Sequence, residues 1–227
     1  ALGVRAEVFV PSVSSPAKRV RLAALGADVV VAGDVYAEAL EACLLRQRES
    51  GALMTHAYDQ PEVVAGAGTL ARELEAQLAS SGHRAPDSGL VSVGGGGLIA
   101  GIAAWFASRA RVIALEPELA PTLHSARSAG EPVDVAVSGI AADSLGARRI
   151  GGIAWAVTQQ HVAQAELLSD DAIRAAQRFM WAEFKLAVEP AAALPLAALQ
   201  SGVVRPRAGE RVVLIVCGGN LDPGTVT

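Results

Sequence analysis

Residues 91–101 read VSVGGGGLIAG, four consecutive glycines between a short apolar strand pattern and an apolar helical pattern. In regular structure each glycine costs roughly 0.5–1 kcal/mol relative to alanine, so such a run indicates a place where side chains would obstruct the backbone. Between a strand and a helix, it would expose successive N–H groups at a helix N-terminus, which favours an anion. We therefore expect a phosphate-binding loop, with a tight packing turn as the alternative. Its residues are Gly94, Gly95, Gly96, Gly97 and Leu98.

Strand and helix patterns alternate through the rest of the chain. This alternation predicts an α/β fold with mostly parallel sheets. The last strand pattern is a nearly continuous apolar run, which is typical of a central strand covered on both faces. Strands are predicted at residues 6–10, 28–32, 52–56, 89–93, 111–115, 162–167 and 211–217, and helices at 16–25, 35–49, 61–79, 98–108, 120–129, 169–187 and 191–199.

The composition excludes several classes of protein. With 227 residues, of which 52% are hydrophobic, the chain can bury a substantial core. Aromatic residues make up 4% and the net charge is −4, so we expect no nucleic-acid partner. The longest apolar stretch, residues 94–107, is shorter than the ~20 residues of a membrane span. Two cysteines form no disulfide framework, and we expect a cytoplasmic protein with a small-molecule ligand.

A dinucleotide site is one interpretation of the glycine run. Gly95-x-Gly97-x-x-Ala100 satisfies the dinucleotide fingerprint, and Glu116 ends the next predicted strand about 20 residues later, where a ribose-binding acid would lie. That fingerprint does not require four adjacent glycines, so NAD binding stays an alternative. Other common sites are absent from the sequence: there is no Walker A motif, no G-x-S-x-G elbow and no histidine spacing typical of a metal site.

Four segments, one of which contains the glycine run, carry a family resemblance. HAYDQPEVVAGAGTLARELE (56–75), SVGGGGLIAGIA (92–103), ALEPE (114–118) and CGGNLD (217–222) stand in the order and at about the spacing found in serine and threonine dehydratases. The chain resembles these pyridoxal-phosphate enzymes of fold type II, the tryptophan synthase β superfamily, over nearly all of its length. The resemblance implies a two-domain architecture, with residues 1–57 as the remainder of a small α/β domain and 58–227 as the large cofactor-binding domain.

The resemblance also implies roles for individual residues. The loop Gly94–Leu98 would hold the cofactor phosphate through backbone N–H groups. Cys217, followed by Gly218, matches the serine or cysteine that faces the pyridine nitrogen, and a near-neutral partner there would leave that nitrogen largely unprotonated. Tyr58 would lie beside the cofactor ring. Asp143 falls where some relatives have a cation site, monovalent or divalent, although the accompanying acid is not evident upstream.

The activity implied by the resemblance is deamination of L-threonine or L-serine to a 2-keto acid and ammonia. The family's Schiff-base lysine and its S-x-G-N-H segment both precede the motifs found here, and neither is in this sequence. The opening ALGV also reads like the end of a helix, so we expect an N-terminal part to be missing and neither Lys18 nor Lys185 to replace the lysine. Alternatives are a serine racemase-like or other β-eliminating enzyme and a non-catalytic remnant, and a homodimer is left open.

Overall fold

The computed structural model describes residues 3–14 and 16–225. Their contacts divide them into two compact units, one ending at Thr55 and the other beginning at His56. This boundary lies two residues before the one expected from the sequence. Of the predicted helix end at residues 1–4, Ala1 and Leu2 lie outside the described residues, and Gly3 has a left-handed φ of +68°. None of the described helices is long and apolar enough to cross a membrane.

The first unit contains one β-α-β arrangement and a further helix. Strand β1 (Glu7–Val10) pairs in parallel with β2 (Asp28–Val31), and helix α1 (Pro16–Ala24) connects them. Helix α2 (Tyr36–Ser50) follows and ends at Gly51, which is left-handed. The strand predicted at residues 52–56 was wrong: this segment has no regular structure. An extended segment becomes a strand only when a neighbour completes its hydrogen bonds, and no described strand pairs with it.

The second unit has one four-stranded parallel sheet, in the order β5-β4-β3-β6. Its helices connect successive strands, as parallel sheets require. The fold class predicted from the sequence is therefore confirmed. The elements are α3 (Pro61–Ser80), β3 (Ser88–Ser92), α4 (Gly97–Phe106), β4 (Arg111–Pro117), α5 (Thr122–Ala129), α6 (Gly152–His161), β5 (Val162–Leu168), α7 (Asp170–Phe184), α8 (Pro190–Gln200), β6 (Val212–Leu214) and a final 3₁₀ turn (Pro223–Thr225).

Two hydrophobic clusters cover the two faces of this sheet. Along β4, Val112 and Ala114 belong to one cluster, whereas Ile113 and Leu115 belong to the other, as expected when successive side chains point to opposite faces. Residues of α3, α4, α5 and α6 fill the first cluster, and residues of α7 and α8 fill the second. The sheet is thus the middle layer of three.

The last strand differs from its prediction. Strand β6 is short, its residues are only half-buried, and it lies at the edge of the described sheet. The central strands are β3 and β4. An apolar run indicates that helices cover both faces of a strand, but it does not report how many strands lie beside it, which is why the sequence pattern misplaced β6.

Helices α3 and α4 approach each other closely at a pair of glycines. A Cβ on Gly101 would overlap the backbone nitrogen of Gly68 and the backbone oxygen of Val64. Because these neighbours are backbone atoms, they cannot move aside without separating the helices. Gly101→Ala should therefore lower the free energy of unfolding by about 1–3 kcal/mol, which urea unfolding can measure.

Gly66→Ala is the matched control for this prediction. Gly66 lies in α3, and no atom comes within 4 Å of an added Cβ. Alanine at this position should be neutral or stabilising by up to ~1 kcal/mol, because it favours the helix. Equal effects of the two substitutions would contradict the close packing described here.

Candidate functional site

The glycine run lies at the carboxyl end of β3, in the turn that leads into α4. Gly96 is the N-cap of α4 and has a left-handed φ of +91°. Gly94, Gly96 and Gly97 are buried, whereas Gly95 is partly exposed. Ligands of open α/β sheets bind beyond the carboxyl ends of the strands. The strand-loop-helix arrangement predicted from the sequence is confirmed, and it lies at the edge where a ligand is expected.

Three consecutive peptide groups of the loop are held by their carbonyl oxygens. The Oγ1 of Thr122 donates a hydrogen bond to the oxygen of Gly94 at 2.6 Å. The N–H of Gly151 donates to the oxygen of Gly95 at 3.0 Å, and the N–H of Ala100 donates to the oxygen of Gly96 at 2.9 Å. In a trans peptide the C=O and the following N–H point in opposite directions. These three bonds therefore fix the directions of the next three N–H groups, those of residues 95–97.

These N–H groups are free to bind a ligand. Within residues 3–14 and 16–225, the structure shows no protein acceptor for the N–H groups of residues 94–97. The first-turn N–H groups of α4 also lack partners within the helix, because the first helical bond is donated by Ala100. Buried N–H groups rarely stay without a partner. A phosphate group provides several acceptor oxygens and a negative charge, so it fits this part of the loop.

Tyr58 lies directly against the loop. A Cβ on Gly95 would overlap the ring of Tyr58, and a Cβ on Gly97 would come within 2.7 Å of the backbone oxygen of Tyr58. The turn that carries Tyr58 is ordered by His56, whose Nδ1 accepts the N–H groups of Tyr58 at 3.2 Å and Asp59 at 2.9 Å. Thus the motif HAYDQP is placed at the glycine run, and only glycine fits under the tyrosine ring. Contact of Tyr58 with a cofactor ring stays a prediction.

Asp59 connects the same turn to helix α6. Its carboxylate accepts the N–H groups of Gly152 and Ile153, both at 2.9 Å, at the N-terminus of α6. The adjoining residues Ile150 and Ala154 pack against Gly96. Neither this aspartate nor α6 was predicted from the sequence, since no local residue caps that helix with its side chain. The only local signal was an acid immediately after Tyr58.

Cys217 lies beyond the end of β6, the strand that pairs with β3, so both strand ends lie at one edge of the sheet. Although part of the residue is exposed, burial of its thiol raises the thiol pKa, and the negative charge of Glu189 raises it further. The hydroxyl of Ser92, which donates to the oxygen of Ala191, has the opposite effect on the thiol pKa. Cys217 is therefore a neutral thiol at physiological pH, as the predicted role at a pyridine nitrogen requires. The role itself stays a prediction.

Gly218 and Asp143 are the remaining predicted site residues. A Cβ on Gly218 would overlap the carboxylate of Glu189, so the segment after Cys217 packs closely on the start of α8. Asp143 and Glu189 both line a cavity of about 530 Å³. Among the residues that the structure describes, no group of three or more His, Cys, Asp or Glu side chains could hold a metal ion. A cation at Asp143 thus has no support from a ligand cluster.

Glu116 does not face the glycine loop as a ribose-binding acid would. It is fully buried, and its carboxyl group accepts the N–H groups of Leu123 and His124, each at 2.7 Å, at the start of α5. The interpretation as an NAD site therefore loses its acidic residue. Lys18 belongs to α1 in the first unit, and the Nζ of Lys185 donates to the oxygen of Ala182 at the end of α7. That neither lysine replaces the catalytic one stays a prediction.

The chain is similar to known proteins over nearly all of its length. Residues 1–218 match the family described as pyridoxal-phosphate dependent enzyme. The chain is 35% identical over its whole length to L-threonine ammonia-lyase of Geobacter sulfurreducens, covering 56% of that protein. It is 34% identical to phenylserine dehydratase of Ralstonia pickettii, with 99% of this chain and 68% of that protein aligned. The chain thus spans between about half and two thirds of these relatives.

Solved structures show the same fold. The crystal structure of a threonine deaminase from T.th. aligns with 97% of this chain and 71% of its own, at a TM-score of 0.87 and 33% identity. The structure of maize serine racemase aligns with 98% of this chain and 68% of its own, at a TM-score of 0.88 and 28% identity. On the strength of the family match across residues 1–218, this chain belongs to the pyridoxal-phosphate dependent enzymes.

Proposed function

We propose that this sequence forms the cofactor-binding part of an ammonia-lyase that converts L-threonine or L-serine to a 2-keto acid and ammonia. The observation that carries the proposal is the set of three held peptide groups in residues 94–97, whose N–H groups have no protein acceptor within residues 3–14 and 16–225. The relatives named above support the substrate class, since threonine and phenylserine both carry a hydroxyl group on Cβ.

The residues fit pyridoxal phosphate at both ends. When bound, this cofactor supplies an electron sink that stabilises negative charge at the substrate Cα. The loop of Gly94 to Leu98 would bind the phosphate through N–H groups and the helix dipole of α4. The neutral thiol of Cys217, with Gly218 next to it, would face the pyridine nitrogen and keep it from taking up a full charge. Tyr58 would hold the loop in place and border the ring.

We assign no catalytic base within this sequence; its residues bind the cofactor and orient it. We propose that residues up to Thr55 act as the small domain of such an enzyme and those from His56 as the large one. A cytoplasmic location is supported by two free cysteines, Cys43 and Cys217, which suit a reducing compartment. A homodimer and a cation at Asp143 remain predictions.

The test uses the natural full-length protein that contains this sequence. With pyridoxal phosphate and L-threonine or L-serine, we expect stoichiometric release of 2-keto acid and ammonia. A coupled reductase assay measures the keto acid. Absence of keto acid from every β-hydroxy amino acid, despite bound cofactor, would contradict the proposal. L-Alanine, which lacks the hydroxyl leaving group, is the matched control substrate.

Racemisation of serine is the second candidate, because maize serine racemase shares the fold at 28% identity. Chiral chromatography of the same reaction separates the two. D-Serine formed faster than keto acid would favour racemisation over deamination.

A further inference from the structure

Glu116 is a buried carboxyl group to which the proposed function gives no task. It ends the apolar part of β4 and has none of its surface exposed. Its Oε1 lies 2.9 Å from the Oγ1 of Thr122 and accepts the N–H of Leu123, while its Oε2 accepts the N–H of His124. Buried carboxyl groups are rarely retained without partners. Here every partner belongs to the N-terminus of α5, and one of them, Thr122, also contacts the glycine loop.

The number of hydrogens around Thr122 determines the state of this group. The Oγ1 of Thr122 carries one hydrogen, yet it lies 2.6 Å from the oxygen of Gly94 and 2.9 Å from the Oε1 of Glu116. A peptide oxygen has no hydrogen to donate. If Glu116 were ionised, one of these two short oxygen-oxygen contacts would contain no hydrogen and would be repulsive. If Oε1 carries a proton, Glu116 donates to Thr122, Thr122 donates to Gly94, and both contacts are hydrogen bonds.

The charges around Glu116 are compatible with a neutral carboxyl group. Burial has the largest effect and raises its pKa. The N–H groups of Leu123 and His124, the hydroxyl of Thr122 and the charge of His124 lower the pKa and offset part of this effect. Arg127 of α5 also faces it, but the hydrogen bonds of its guanidinium go to the backbone oxygens of Thr158 and Val162.

The strands beside β4 add little that would stabilise a negative charge. On β3, the neighbouring residues are Ser92 and Val93, which do not titrate in this range. On β5, Leu167 lies opposite Glu116, and the preceding Glu166 accepts a hydrogen bond from Gln164. A second carboxylate on that side would only disfavour ionisation of the first.

We propose that Glu116 retains its proton and acts through Thr122 as a positioning residue for the phosphate-binding loop. The relay holds the Gly94 carbonyl, and because the Gly94–Gly95 peptide is trans, it thereby fixes the direction of the Gly95 N–H. The proposal rests on the proposed function only where it assigns a phosphate to that N–H. The proton on Glu116 can be tested without any ligand.

The protonation state also predicts how stability depends on pH. A carboxyl group whose pKa is higher in the folded state binds more protons when folded than when unfolded. The contribution of Glu116 to stability is then greatest below the ordinary carboxyl pKa, and it is lost as pH rises through the raised pKa. Glu116→Gln, which keeps a hydrogen for Thr122 and cannot ionise, should remove this fall.

Three variants of the natural full-length protein, freed of cofactor, test the relay. The ligand is pyridoxine 5′-phosphate, which has no aldehyde and therefore reports non-covalent binding, measured by calorimetry. Thr122→Val removes the hydroxyl at constant shape and should weaken binding at least about tenfold, because the Gly94 carbonyl loses its donor. Thr122→Ser keeps the relay and should bind within about threefold of the unchanged protein, less than 1 kcal/mol. Glu116→Gln also keeps a hydrogen for Thr122, but its NH2 group cannot accept the N–H of Leu123, so its binding should lie between that of Thr122→Ser and that of Thr122→Val.

An infrared spectrum without ligand tests the proton directly. The unchanged protein should show the C=O band of a buried protonated carboxyl group at neutral pH, and Glu116→Gln should lack it. If that band is absent, Glu116 is ionised and the proposal is overturned. If the band is present but the unchanged protein does not bind the phosphate ligand, the proposed function fails. The amide ¹H–¹⁵N signal of Gly95 then tests the relay: a shift in Thr122→Val supports its positioning role, and an unshifted signal overturns it.

Discussion

Replacing Gly96 with alanine is expected to weaken binding of pyridoxal phosphate at least about tenfold and to lower the free energy of unfolding by about 2–5 kcal/mol. Gly96 has a φ of +91°, a conformation that costs any other residue roughly 1–2 kcal/mol. An added Cβ would also lie 2.5 Å from the Cβ of Ala154 and 2.5 Å from the Cδ1 of Ile150. Relieving these contacts must move the peptide group that presents the loop's N–H groups. Urea unfolding and ligand calorimetry measure the two effects.

Gly82→Ala separates backbone strain from packing in this experiment. Gly82 also has a left-handed φ, +72°, but no atom lies within 4 Å of an added Cβ. This variant should lose only the roughly 1–2 kcal/mol of strain and should bind the cofactor normally. If Gly96→Ala resembles Gly82→Ala in both measurements, the close packing around the loop is not required for binding.

Replacing Asp59 with alanine is expected to cost about 2–3 kcal/mol of stability and to weaken cofactor binding several-fold. The substitution leaves the N–H groups of Gly152 and Ile153 without their acceptor and removes a negative charge from the N-terminus of α6. Asp59 also adjoins Tyr58, which lies on Gly95, while α6 carries Ala154, which packs on Gly96. Loss of this cap should therefore loosen two supports of the loop together. Thermal unfolding and calorimetry are the measurements.

Ser169→Ala is the matched control for Asp59→Ala. Ser169 caps α7, where its Oγ accepts the N–H of Ala172, and α7 covers the other face of the sheet. Its removal should cost about 1 kcal/mol of stability and leave binding unchanged. Losses of binding in proportion to the losses of stability in the two variants would show that binding follows overall stability and not the position of α6.

The features that the sequence predicted correctly depend on neighbouring residues. The turn at Gly94–Gly97 follows from a strand, a glycine run and a helix in direct succession, so no distant information was needed. Pairing is different, because an extended segment does not specify its neighbour. That is why the strand predicted at residues 52–56 was wrong and why β6 was predicted at the centre of the sheet and not at its edge.

Predictions for the site also succeeded where the signal was local and failed where it depended on distant residues. Cys217 lies at the same edge of the sheet as the end of β3 because β6 pairs in parallel with β3; the alternating pattern predicted a parallel sheet but not which strands pair. Helix α6 escaped prediction because its cap, Asp59, is distant in sequence, at a separation of 93 and 94 residues from the two N–H groups. Glu116 had the spacing of a ribose-binding acid, but tertiary structure gives its carboxyl group to α5. Spacing along the chain does not report which way a side chain turns.

The central claim is that the N–H groups of Gly95, Gly96 and Gly97 bind the phosphate of pyridoxal phosphate. The most direct measurement is an amide ¹H–¹⁵N spectrum of the cofactor-free protein, titrated with pyridoxal 5′-phosphate and, separately, with pyridoxal. We predict that these three amide signals shift with pyridoxal 5′-phosphate and stay in place with pyridoxal, which lacks the phosphate. Signals that stay in place with both ligands, or that move equally with both, would contradict the claim.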